Sequence, residues 1–144
     1  MELSHIRQNL DKVFVGEKDA YSLEKGANDK EIIETEKDLH ISFPPQVKLF
    51  YEAYNGLIVK NPKLEIYSIS KLQFTESGKL EFAIINEIHP LFFDTTSLNH
   101  AGEWNIVAKN NYLVTMTMAS FWSNKIWAWV RNKRAIWEEE YSDQ

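Results

Sequence analysis

The side chains with most scope for metal or acid–base chemistry in this 144-residue chain are four histidines and 21 acidic residues. The histidines, His5, His40, His89 and His100, are 35, 49 and 11 positions apart. None of these separations puts two imidazoles on one helical turn, as an i, i+4 zinc site requires. They read as surface or packing residues, and no metal site is expected. His100 and Glu103 flank Ala101-Gly102 and suit a turn rather than a ligand pair. The chain has no cysteine, which removes thiol nucleophiles, disulfides and cysteine-held metals and points to a reducing cytoplasm. Gly-x-Ser-x-Gly, Gly-x-x-x-x-Gly-Lys and Gly-x-Gly-x-x-Gly are all missing, so no catalytic residue is assigned and no cofactor is expected. Glu36 and Glu65 would make a hydrolytic pair only if the fold brought their carboxyls within about 5–9 Å.

Glu36 has a structural alternative. At 100° per residue it falls in the middle of an apolar helix face with Ile32, Ile33, Leu39 and His40. A carboxylate there needs a partner, and backbone N–H groups at the start of the following Pro44-Pro45 helix can supply one. Glu31, Glu34 and Asp38 point the opposite way. They are either a solvated face or a landing surface that steers a basic partner. Trp122 and Trp129 fall on the inner face of a later helix, whereas Trp127 points about 180° away and is a candidate interface anchor. The run Glu138-Glu139-Glu140 is a second acidic candidate.

These residues must be held by a small set of elements. Leu3, Ile6, Leu10 and Val13 predict a helix over 3–14, and Gly16 ends it. Residues 17–27 show neither helical nor strand periodicity and read as a loop without a site. Asn28 with Glu31 three residues on predicts the start of a helix over 28–40. Pro44-Pro45 opens a third over 44–54, which Asn55-Gly56 closes by tolerating left-handed φ. Six strands follow: Leu57–Lys60, Leu64–Ile69, Leu80–Ile85, Leu91–Asp94, Trp104–Ala108 and Tyr112–Thr117. Asn110-Asn111 suits a two-residue hairpin turn. Thr117 caps a fourth helix near 118–131. The expectation is one α+β domain over 1–144, with about six short strands in a mostly antiparallel or mixed sheet flanked by about four helices.

Charge and hydropathy narrow the partners. The net charge of −5 argues against a duplex nucleic-acid binder, which needs a basic surface. Ten acids against six bases in residues 1–40 place the acidic excess at the front. No apolar run approaches the roughly 18–20 residues of a membrane span, and the amino terminus lacks a secretion signal, so neither membrane nor export is expected. The aromatic content, 8 Phe, 6 Tyr and 5 Trp, is high: most of the rings are expected in the core, and a domain this small leaves a few for an interface.

The pattern Ile32/Ile33, Glu36, Leu39, Pro44, Phe50 and Asn55-Gly56 resembles the SUKH superfamily, a large group of bacterial toxin-immunity proteins that also contains a fungal regulator of cell-wall synthesis. Ile66-Tyr67-Ser68-Ile69 and Leu80-Glu81-Phe82-Ala83 are similar to the strands that follow in that group, and Thr117 to Val130 to its closing strand-to-helix passage. The likeness runs over about residues 28–130. His40 stands where the family usually has Gly, Phe43 where it usually has Leu, and Val47 where an aromatic is common. The resemblance implies a non-catalytic protein that binds a cognate toxin domain, often a nuclease, and neutralises it inside the producing cell. The alternative it implies is a scaffold or regulatory binding module without a toxin. Oligomeric state is not legible.

Overall fold

The computed structural model describes residues 3–139. Helix α1 (Ser4–Val13) is followed by strand β1 (Tyr21–Lys25), then by helices α2 (Asp29–Leu39) and α3 (Pro45–Ala53). Seven strands come next: β2 (Tyr54–Val59), β3 (Leu64–Ile66), β4 (Gln73–Glu76), β5 (Lys79–Ile85), β6 (His89–Asp94), β7 (Asn105–Val107) and β8 (Leu113–Thr115). The described chain finishes with a composite helix made of α4 (Met118–Ser120), a π-helical turn (Phe121–Lys125) and α5 (Ile126–Val130).

Local chemistry sets most of these boundaries. Asn28 Oδ1 accepts the Glu31 N–H at 2.8 Å while Glu31 Oε1 accepts the Asn28 N–H at 3.0 Å, a reciprocal capping box at the start of α2. The helix ends at His40, which adopts left-handed φ 56° and ψ 47°, and the Ile41 N–H turns back to the Glu36 carbonyl at 3.0 Å. Pro45 occupies the first turn of α3, where a missing N–H is tolerated. Asn110 and Asn111 both take φ 61° at the centre of a tight turn that the Tyr112 N–H closes on the Lys109 carbonyl at 3.3 Å, within the five residues between β7 and β8.

All eight strands form one antiparallel sheet in the order β1-β2-β3-β5-β6-β7-β8, with β4 paired alongside β5. The row Leu57, Ile66, Ala83, Leu91 faces the core, and the adjacent row Ile58, Glu65, Ile84, Pro90 faces away. Ile32, Phe50, Tyr51, Trp122 and Ile126 of the helices join the core-facing row in one buried cluster, so the helices cover one face of the sheet. Ring contacts tie the layers: Phe82 stacks on Phe93 at 4.0 Å, Phe121 meets Phe82 edge-on at 5.9 Å, and Phe50 stacks on Trp122 at 5.4 Å.

The sheet is larger than the six strands expected. Residues read as a loop contain β1, an edge strand in which only Tyr21 and Leu23 are half-buried and which is held by pairing with β2. Strand β4 is exposed throughout and exists as the outer arm of the hairpin through Ser77-Gly78. The loop after β1 is tightly built as well: a Cβ on Gly26 would lie 1.9 Å from the Glu52 carbonyl oxygen.

Helix α3 does not close on Asn55-Gly56. Tyr54 is extended, at φ −142°, and the chain passes straight from helix into β2. Gly56 carries its positive φ of 106° inside that strand, against β3. Ile33, placed by periodicity on the inner stripe of α2, is 62% exposed, and Ile32 alone on that helix is fully buried.

Candidate partner-binding surface

Helix α2 presents Glu31, Glu34 and Asp38 on its exposed side. They are not equivalent. The Glu31 carboxylate is spent on the capping box, whereas Glu34 and Asp38 have no ion-pair or hydrogen-bond partner among the described residues. Together with Thr35 and Leu39 they line a hollow of about 340 Å³, whose far wall is Ile69, Ser70 and Leu72. No basic residue among the described ones lines it, although Lys30 and Lys37 adjoin Glu31 and Asp38 in the chain. Lys71, between Ser70 and Leu72 of the far wall, is ion-paired to Glu65 at 2.7 Å and lies over the Tyr67 ring. The surface is therefore acidic with an apolar floor.

Beneath α2, Glu36 is half-buried and accepts the Phe43 N–H at 2.7 Å, in the chain just before α3. Pro44 is buried at the entrance to that helix. Glu65 lies on the sheet face away from the helices, so the structure does not assemble Glu36 and Glu65 into an acid–base pair. Asn55 Oδ1 accepts the Ile69 N–H at 2.7 Å, linking β2 to the wall of the acidic hollow. A Cβ on Gly56 would lie 2.9 Å from the Ile66 carbonyl oxygen and 3.0 Å from the Ser68 nitrogen.

The buried acid is one that local sequence does not reveal. Glu103 is 2% exposed, and both its carboxylate oxygens accept the Gln46 N–H at the first turn of α3. Burial raises its pKa above the ordinary carboxylate value, and the Gln46 N–H opposes that shift. Gln46 Oε1 in turn accepts the Ala119 N–H at 2.8 Å, so a single residue joins the turn after β6, α3 and the start of α4. The only local hint was an acid at the end of a glycine turn. Its partner is 57 residues away.

Trp127 is not fully outward. Its indole N–H donates to the Trp122 carbonyl at 2.6 Å, and the two rings meet edge-on at 6.4 Å. These contacts across the π-helical turn leave Trp127 half-buried. Trp137 packs on His89 at 3.9 Å and on Trp129 at 5.4 Å. Trp122 and Trp129 are buried. Glu138 and Glu139 are exposed, and Glu140 lies outside the described residues.

No group of three or more His, Asp or Glu side chains among the described residues could hold a metal ion. His89 is held neutral more readily than a free imidazole, chiefly by burial. No described helix is long and apolar enough to cross a membrane.

The antiparallel sheet covered on one face by helices, with a capping-box helix leading through Pro44 into a short aromatic helix, defines a non-repeating α+β module. The chain belongs to the SMI1/KNR4 family (SUKH-1), whose model matches residues 26–137. No curated protein matches the sequence.

Proposed function

We propose that the chain is an immunity protein that binds a cognate toxin domain, of nuclease type, and blocks its active site or substrate access. Membership of the SUKH-1 family over residues 26–137 carries this reading, since proteins of that family act by binding partner proteins. The acidic hollow supports a location for first contact. Unpaired Glu34 and Asp38 attract a basic surface, and exposed Ile33 on the same helix supplies apolar area. Glu138 and Glu139 add negative charge elsewhere, and the reading gives them steering rather than anchoring.

The family match accommodates a second reading, a regulatory binding module without a toxin. The two part in one experiment. The chain is co-expressed with the toxin domain encoded upstream of its own gene. Rescue of growth and co-purification at equal stoichiometry support the immunity reading. Killing that the chain does not relieve, or the lack of any toxin frame beside the gene, leaves the regulatory reading in its place.

A further inference from the structure

A second concave surface lies on a different part of the molecule, between α1 and the composite carboxy-terminal helix. It is a groove of about 710 Å³, within the range of sites that hold small ligands or peptide side chains. Trp122 and Trp127 line its aromatic part, His5 and Asn9 come from α1, and Ser123 and Arg131 from the helix opposite. No acidic side chain among the described residues lines it. A second hollow of about 290 Å³ shares Ser123, Trp127 and Arg131 with the groove, so the concave surface continues past Trp127.

Three independent features mark this groove. The first is charge. Between Glu103 and Glu138 the chain carries five basic residues and no acid, although the molecule as a whole is at −5, and of those five Arg131 lines the groove beside His5. The second is the π-helical turn itself, a rare backbone form that recurs at binding sites and that here contributes Trp122 and Ser123 to the wall. The third is Trp122. Its indole nitrogen is the one buried side-chain polar atom without a hydrogen-bond partner among the described residues, and the space beside that side chain is the groove. A buried donor left unpaired is unfavourable, so the groove wall at Trp122 holds a polar group that the described residues do not satisfy.

We infer that this groove binds an acidic peptide segment of a protein partner, its carboxylates at Arg131 and His5 and an aromatic or aliphatic side chain against Trp127. The occupant is a peptide rather than a free anion because the concave surface runs over two adjoining hollows, longer than one carboxylate needs, and because its aromatic part offers apolar area that a bare anion does not use. The surface is opposite in charge to the α2 hollow and does not depend on it. Its α1 wall precedes residue 26, so this groove uses a part of the chain that the family match does not include.

The test uses the intact chain labelled with nitrogen-15 and an acetylated, amidated octapeptide of alternating glutamate and tyrosine, with a lysine-for-glutamate octapeptide as control. The acidic peptide is expected to move the indole signals of Trp122 and Trp127 and to leave that of Trp104 in place. The lysine peptide should move none. Arg131→Glu is expected to weaken binding at least about tenfold with the Trp104 and Trp129 signals unchanged, while the Glu34→Lys/Asp38→Lys variant binds the peptide as the parent does. Unmoved Trp122 and Trp127 signals, full affinity in Arg131→Glu, or the same shifts from free glutamate at equal carboxylate concentration would each overturn the proposal.

Discussion

The carboxylate of Glu103 and the backbone N–H of Gln46 meet at 3.2 Å across 57 residues of chain, and through this contact the turn after β6 caps α3. Pro45 has no N–H to offer, so Gln46 is the first amide of the helix that can take an acceptor. Glu103→Ala leaves that N–H unpaired beside a cavity and is expected to lower stability by about 1–3 kcal/mol in chemical denaturation.

The same residue gives a pH dependence of known sign. Its folded-state pKa is raised by burial, so the folded protein holds the Glu103 proton more tightly than the unfolded chain does. Its contribution to stability is complete below the unfolded value near 4.5 and is lost as pH rises through the raised folded value. Glu103→Gln keeps an acceptor for Gln46 and cannot ionise, so its melting temperature should fall less than the parent's as pH rises from 4.5. Parallel curves would mean that Glu103 titrates alike in both states.

His40 closes α2 in left-handed geometry without the freedom of glycine. His40→Gly, the residue usual in the family at this point, should raise stability by about 1 kcal/mol by relieving a conformation that disfavours a Cβ. A melting temperature lower than the parent's would show that the imidazole makes a contribution larger than the strain.

Gly56→Val and Gly26→Ala should both destabilise, for different reasons. At Gly56 the positive φ alone costs about 1–3 kcal/mol, and the new side chain also meets the Ile66 carbonyl. At Gly26 the backbone is ordinary, but the Cβ collides with the Glu52 carbonyl. Thermal melting of the two variants reads both effects, and unchanged melting in either would place its neighbouring strand or helix farther away.

Replacing Glu34 and Asp38 by Lys should slow association with a basic partner and flatten its salt dependence, while stability stays within about 0.5 kcal/mol of the parent. Glu31 is left out of this variant because its loss would also open the capping box. Stopped-flow association at low and high salt decides. Equal rates at low salt would remove α2 as the steering surface.

The sequence is informative where a structure depends on neighbours in the chain. The Asn28/Glu31 capping box, the Thr117 cap and the Asn110-Asn111 turn are all legible because every partner lies within a few residues. What depends on distant partners is not. Strand β1 has little apolar alternation and is defined by its pairing with β2, and Glu103 looks like any turn acid until α3 arrives beside it. The wheel puts Trp122 and Trp129 in the core, where they are, but it cannot show that the Trp127 indole turns back to the Trp122 carbonyl and is half-buried there. The acids Glu34 and Asp38 of α2 and the hollow beside them are half legible: the exposed side can be read, but not the wall formed by Ile69, Ser70 and Leu72.

The strand order also bears on how the molecule assembles. From β2 to β8 each strand pairs with one close to it along the chain, so this meander can grow by adding successive hairpins with little loop-closure entropy at any step. The exception is β1, which reaches β2 only after α2 and α3 have been spanned. Yet the pairing of Leu23 with Leu57 closes less chain than the contacts that fasten the helices to the sheet, which join residues 57 apart at Glu103 and Gln46 and 66 apart at Trp129 and Lys63. The groove beside Trp127 has walls still more distant along the chain, His5 and Trp122, so it is complete only where α1 and the carboxy-terminal helix have met.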